Sequence, residues 1–233
     1  MVIVDSIKGT KIIYDEKLSE LDKRYYYNLI CECVEMLDVS ELKIYTLIIN
    51  LCTEKDEDWK DYEGIFYHHS SEIKIYVNPE LKNEEQDIFF KEVFYHEIQH
   101  GVFRMKMILN NNCFMYFNRN FSIECIDEFY AYYNTYYKFL EKYYCQGYYS
   151  ILQTNLNNAE NDVVNNNEPF RLINSFSRKL AILNLFANNF RLSNFDKLYG
   201  EKYKNVEHIL DIIKQKNIEY DKLENIIKEE VLV

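Results

Sequence analysis

An α+β fold is what this sequence predicts, on three observations. Segments rich in β-branched and aromatic residues lie early in the chain. Helical periodicity dominates from residue 83 onward. Only 5 Gly and 2 Pro are spread over 233 residues, and turn residues that scarce exclude collagen-like chains and most all-β sandwiches. With 48% hydrophobic and 28% charged residues, the chain can bury a core without disulfide staples.

Each element follows from its pattern. Asp15 to Leu37 reads as a helix, with Leu18, Leu21, Tyr25, Leu29, Val34 and Leu37 at roughly helical spacing. Leu42 to Cys52 (LKIYTLIINLC) reads as a largely buried strand. Thr53–Glu63 is acidic and polar, a surface loop. GIFYHHS and EIKIYVN, split by Ser70-Ser71, read as a hairpin, and Ile73, Ile75 and Val77 alternate with Lys74 and Tyr76 in the second arm. Pro79 ends it. Asn83 to Leu109 returns to a helix with acidic residues in its first turn and Arg104 and Lys106 near its end, as the helix dipole favours. A further helix spans Ile123 to Tyr144. Gln153–Glu168 is rich in Asn and reads as a linker or long loop. Helices at 170–190, 204–216 and 219–231 complete the chain. The sheet is expected to be short and mostly antiparallel.

Charge narrows the function classes. The net charge of −11, with no run of basic residues, argues against nucleic acid and against anionic membrane surfaces as partners. No apolar stretch approaches the ~18 residues of a membrane-spanning helix, and the opening MVIVDSIKGTKII holds no signal-peptide apolar core. The six cysteines form no CxxC pair and read as free thiols, which predicts a cytoplasmic protein.

The residues that carry chemistry are His96-Glu97-Ile98-Gln99-His100. On a helix, positions i and i+4 fall one turn apart on one face, so both imidazoles can bind one Zn²⁺ at about 2.0–2.1 Å. Glu97 lies about 100° round the helix, beside the ion rather than on it. There it can accept a proton from zinc-activated water and pass it to a leaving group. A catalytic zinc also needs a third protein ligand and an open position. Glu124, Asp127 and Glu128 in FSIECIDEFYAYYNTYY are the carboxylates at hand.

His96-Glu-Ile-Gln-His100 followed by Glu128-Phe-Tyr-Ala131 resembles the gluzincin metallopeptidases, and over roughly residues 40–140 looks like their small members, including ImmA/IrrE-type proteins. The resemblance implies a zincin-like metallopeptidase domain over 1–150, with a helical C-terminal region over 151–233 packed on it. It implies a zinc-dependent peptidase acting on a protein or peptide substrate, with His96, His100 and Glu128 as zinc ligands and Glu97 as general base. It also implies an edge strand over the metal that pairs with extended peptide. Oligomeric state stays open. In thermolysin-like relatives the ligand comes first and a histidine-orienting carboxylate four residues later, so Glu124 would be the ligand and Glu128 its partner. Glu128 is preferred because small Ala131 follows it and would allow close packing on the histidine helix.

The remaining histidines carry less. His68 and His69 alternate faces if they lie in a strand and cannot chelate together; His208 reads as a helix-surface residue. Cys31 and Cys33 sit about 200° apart on a helix and read as core thiols. Two further functions compete with the peptidase. One is a catalytically silent, zinc-stabilised binding module, disfavoured by the intact Glu97. The other is a helical interaction protein in which HEIQH is incidental.

Overall fold

A computed structural model describes residues 4–7, 10–37, 47–67, 69–109, 121–144, 147–165 and 168–188. The chain divides into two compact units, Met1–Lys106 and Met107–Val233. In the first, strands β1 (Val4–Ile7) and β2 (Thr10–Tyr14) precede helix α1 (Glu20–Met36); β3 (Ile48–Cys52), β4 (Gly64–Tyr67), β5 (Glu72–Tyr76) and helix α2 (Glu84–Leu109) follow. In the second, the described helices are α3 (Phe121–Tyr143), α4 (Tyr148–Asn165) and α5 (Pro169–Asn188). The α+β class is what the structure has.

The sheet runs β1-β2-β3-β5-β4. β1/β2 and β4/β5 pair antiparallel, while β2/β3 and β3/β5 pair parallel. The sheet is thus mixed rather than mostly antiparallel. Parallel neighbours need a crossover, and α1, between β2 and β3, supplies one. The β4–β5 hairpin sets β5 inward against β3 and leaves β4 at the edge. Side chains alternate faces along a strand, and the pairing aligns the buried ones into rows. Ile12, Ile49, Ile73 and Phe66 form one, and Tyr14, Leu51, Ile75 and Gly64 the next. The second row ends on the residue without a side chain.

Local chemistry sets the joints. Ser19 caps α1 in a reciprocal box with Asp22, so the helix starts later than Asp15, and Leu21 is exposed rather than in the core. Asp15 accepts hydrogen bonds from the Thr53 N–H at 2.9 Å and hydroxyl at 2.6 Å, tying the end of β2 to the end of β3. Burial pushes the Asp15 carboxyl up, but the bonds from Lys17 N–H and Thr53 outweigh it and hold the group below its ordinary value. The 53–63 loop keeps its acidic residues largely in ion pairs or solvent, yet folds Trp59 into the interior. The hairpin turns at Ser71, in the left-handed region at φ 54°. Arg104 on α2 donates to the Ser71 hydroxyl at 2.7 Å and ties that turn to the helix.

The second unit corrects the largest misreading. Residues 153–168 are not a linker: α4 covers most of them, and residue 150 lies inside it. Leu152, Leu156, Ala159 and Val163 recur at helical spacing and are buried, while Asn157, Asn158, Asn161 and Asn165 take the exposed side. Abundant Asn lowers helix propensity but does not prevent a helix whose apolar stripe is covered. α5 packs on both α3 and α4, with the Ser177 hydroxyl donating to the Cys125 carbonyl at 3.0 Å and Arg178 pairing with Asp162 at 3.1 Å. The strands β1 and β2 were not foreseen in the opening residues. The expected helices at 204–216 and 219–231, and residues 42–46 of the expected strand, lie outside the described residues.

Candidate metal centre

The middle of α2 is where the site begins. From Phe94 to His100 every residue is buried, and four of the seven are polar: His96, Glu97, Gln99 and His100. Polar side chains are seldom buried without a task or a partner. His96 and His100 stand one turn apart with their Nε2 atoms 3.2 Å from each other and their rings nearly perpendicular, at 87°. Two nitrogens each about 2.0–2.1 Å from one tetrahedral ion would lie about 3.3 Å apart. The spacing therefore fits a shared ion; without one, a single N–H···N hydrogen bond fits it too.

The edge strand shapes both ends of this turn. Phe66, on β4, stacks on the His100 ring at 6.4 Å between centroids and 24° between planes. Gly64, at the start of the same strand, lies against Glu97. A Cβ placed on Gly64 would fall 2.7 Å from Val93 Cγ1, 2.9 Å from Glu97 Cγ and 3.1 Å from Glu97 Oε1. The strand can approach this carboxylate only because the residue is glycine. Glu97 itself is 7% exposed, and its neighbours hold it in place.

A third donor joins the two histidines. His96, His100 and Glu128 each offer a ligand atom, and these lie within 4.8 Å of one another, the histidines buried and the glutamate half-buried. The group could hold a metal ion. Two neutral imidazoles and a carboxylate suit a divalent transition metal. Glu128 Oε2 accepts a hydrogen bond from Asn174 Nδ2 at 3.2 Å, and Asn174 Oδ1 accepts one from the Tyr132 hydroxyl at 2.9 Å.

The structure thus brings together His96, His100 and Glu128 and leaves Glu97 beside the histidine pair. Among the described residues the group includes neither Glu124, which is half-buried, nor Asp127, which is fully buried. His69 is exposed in the hairpin turn rather than in a strand; His68 and His208 lie outside the described residues. Cys125, one turn before Glu128, has its thiol pushed up to about 12 by burial and stays protonated, so it offers no thiolate. The other described cysteines, Cys31, Cys33 and Cys52, are free thiols as expected. Sequence reasoning missed Gly64, Phe66 and Asn174. The scarcity of glycine at the head of a strand could have drawn attention to Gly64; Asn174 carries no comparable signal.

No family model matches the chain, and neither does any curated protein or solved structure. Among the described residues, no helix is long and apolar enough to cross a membrane.

Proposed function

We propose that this chain is a zinc-dependent peptidase of the gluzincin type, with His96, His100 and Glu128 holding the ion and Glu97 as general base. The observation that supports it most is the buried Glu97 beside two histidines on one helical turn, which with Glu128 form a three-donor group. Two histidines and a carboxylate serve iron(II) as readily as zinc. Glu97 favours hydrolysis, because a second carboxylate beside the donors suits moving a proton. When bound, zinc supplies a Lewis acid that polarises a carbonyl and lowers the pKa of water toward ~7. Glu97 then accepts a proton from the attacking water on its carboxylate and returns it to the leaving amine. Gly64 lets β4 press on Glu97 and limits the conformations it can take. Phe66 holds the plane of His100. β4 is the edge of the described sheet, which suits main-chain pairing with an extended protein or peptide substrate. Free cysteines without a CxxC pair suit a cytoplasmic setting.

Elemental analysis of protein purified without a histidine tag tests the metal, with about one zinc per chain expected of a single open site. No enrichment in any transition metal, even after zinc is added, would end the proposal; iron in place of zinc would redirect it to redox chemistry. Glu97→Gln tests the reaction. The amide keeps the shape but cannot accept the proton, so zinc should stay while turnover falls by about 10²–10⁴. Wild-type turnover in that variant would remove Glu97 from the mechanism.

A further inference from the structure

Resting on the metal-centre reading above, we infer that Asn174, oriented by Tyr132, is a positioning residue for the glutamate ligand, so that helix α5 takes part in the site. Glu128 and Tyr132 are four residues apart on α3 and so share one face. Both reach the same residue, Asn174 on α5. The polarity of this chain of bonds has one solution. An ionised carboxylate only accepts, so the amide must turn its NH₂ toward Glu128. Its carbonyl then faces Tyr132, whose hydroxyl donates to it. Reversing the amide would set two acceptors against each other.

The frame around the three groups is firm. The Tyr132 ring stacks on Tyr136 at 5.5 Å and 28°, and Tyr136 is buried. Asn174 sits between Ile173 and Ser175 with Phe176 beyond, all buried, so its backbone cannot readily shift. A half-buried glutamate has several rotamers, and fixing one costs entropy. A donor already aimed at one oxygen meets that cost before any ion arrives, and a carboxylate with two oxygens retains acceptor capacity for a metal. Hydrogen-bond partners of metal-binding side chains typically change affinity or activity by ~10–100-fold when removed.

The experiment is a competitive zinc titration with a chromogenic chelator on the full chain, comparing wild type, Asn174→Leu, Tyr132→Phe, Glu128→Ala and Glu128→Ala/Asn174→Leu. Asn174→Leu keeps volume and removes the donor, and should weaken zinc binding by ~10–100-fold. Tyr132→Phe should shift affinity the same way by less. In the Glu128→Ala background, read with a weaker indicator, Asn174→Leu should cause no further loss, because its effect runs through that carboxylate. An unchanged affinity in Asn174→Leu, or an equal loss with and without Glu128, would overturn the inference. If Asn174→Leu does not fold, Tyr132→Phe in the two backgrounds decides by the same criterion. A wild type that binds no zinc would overturn the metal reading itself and this inference with it.

Discussion

The two helices that carry the candidate donors hold them in different ways. On α2, His96, Glu97 and His100 fall within little more than one turn of a continuously buried stretch, and the backbone fixes their spacing. β4 presses on that turn with Phe66 and with the bare backbone of Gly64. On α3, Glu128 is half-buried and steadied by a side-chain amide 46 positions along the chain. A donor fixed by helix geometry and dense packing has little freedom to adjust. A donor on a half-buried side chain, steadied in part by a hydrogen bond from another helix, can be loosened in degrees. Substitutions on the first helix should therefore act as switches, and those around Glu128 as graded controls.

The largest effect should come from α2. His96→Ala or His100→Ala removes a buried candidate donor, and on the proposed reading either should lose zinc almost completely together with any activity. Their unfolding temperatures should stop responding to added zinc, since an ion that binds only the folded chain stabilises it in proportion to its occupancy. Differential scanning calorimetry with and without zinc measures this. A zinc-dependent rise that survives in both variants would move the ion away from α2.

Next in size is Gly64→Ala, which tests the packing half of the contrast. The new Cβ would enter a space where Val93 Cγ1 and Glu97 Cγ stand 2.7 and 2.9 Å away. Overpacking of this kind typically costs about 1–3 kcal/mol. Because the nearest atoms met are on Val93 and Glu97 rather than on a histidine, turnover should drop while zinc content holds. Urea unfolding, zinc analysis and a peptidase assay on one preparation separate the three. A variant with wild-type stability and turnover would show that β4 leaves room for Glu97 to move.

What the sequence revealed divides along the same line. The HEIQH spacing is local, and a helix converts local spacing into shared direction, so His96, Glu97 and His100 were legible from five consecutive letters. Glu128 was legible as one of two candidates, because helical position alone does not say which of two glutamates a turn apart faces the histidines. Asn174 and Gly64 matter through contacts made only when distant segments meet, and neither residue type announces that. The fold shows the same limit. The α+β class followed from where strand-like and helix-like periods lie. α4 was hidden because its Asn content resembles a loop, although its apolar residues keep the helical interval. β1 and β2 were hidden because both are very short, and β2 gains its parallel partner β3 only across the α1 crossover.

Acid tests the tie between the ends of β2 and β3. Asp15 holds the β2 and β3 ends together through Lys17 and Thr53, and its carboxyl lies below its ordinary value of 3.8 in the folded chain. A depressed folded value means the contribution is fully present above the unfolded value and is lost as pH falls through the folded one. Asp15→Asn should therefore cost about 1.5 kcal/mol at neutral pH, the low end of the ~1.5–3 kcal/mol of hydrogen bonds to a charged group, because Asp15 is partly solvated. The difference from wild type should shrink below pH 3.8, where the wild-type carboxyl also takes up a proton. Urea unfolding of both proteins across that range measures it. A cost that does not change with pH would mean that the charge contributes nothing and shape alone matters.

The smallest effect is the one that most sharply divides the two glutamates of α3. Glu124 and Glu128 are separated by one helical turn, and both are half-buried. Helix geometry alone would allow either to be the ligand. Only Glu128 belongs to the group within 4.8 Å, so Glu128→Ala should nearly abolish zinc retention. Glu124→Ala should leave zinc affinity close to wild type, because Glu124 is not one of the three donors in that group. A loss of ~10–100-fold in Glu124→Ala would instead give it an outer role, steadying a ligand without touching the ion. A larger loss in Glu124→Ala than in Glu128→Ala would reverse the assignment. Glu124 would then bind the ion, Glu128 would orient a histidine, and Asn174 would be bracing the second carboxylate rather than the first. The same chelator titration reads all three outcomes, because they differ in which variant loses the ion.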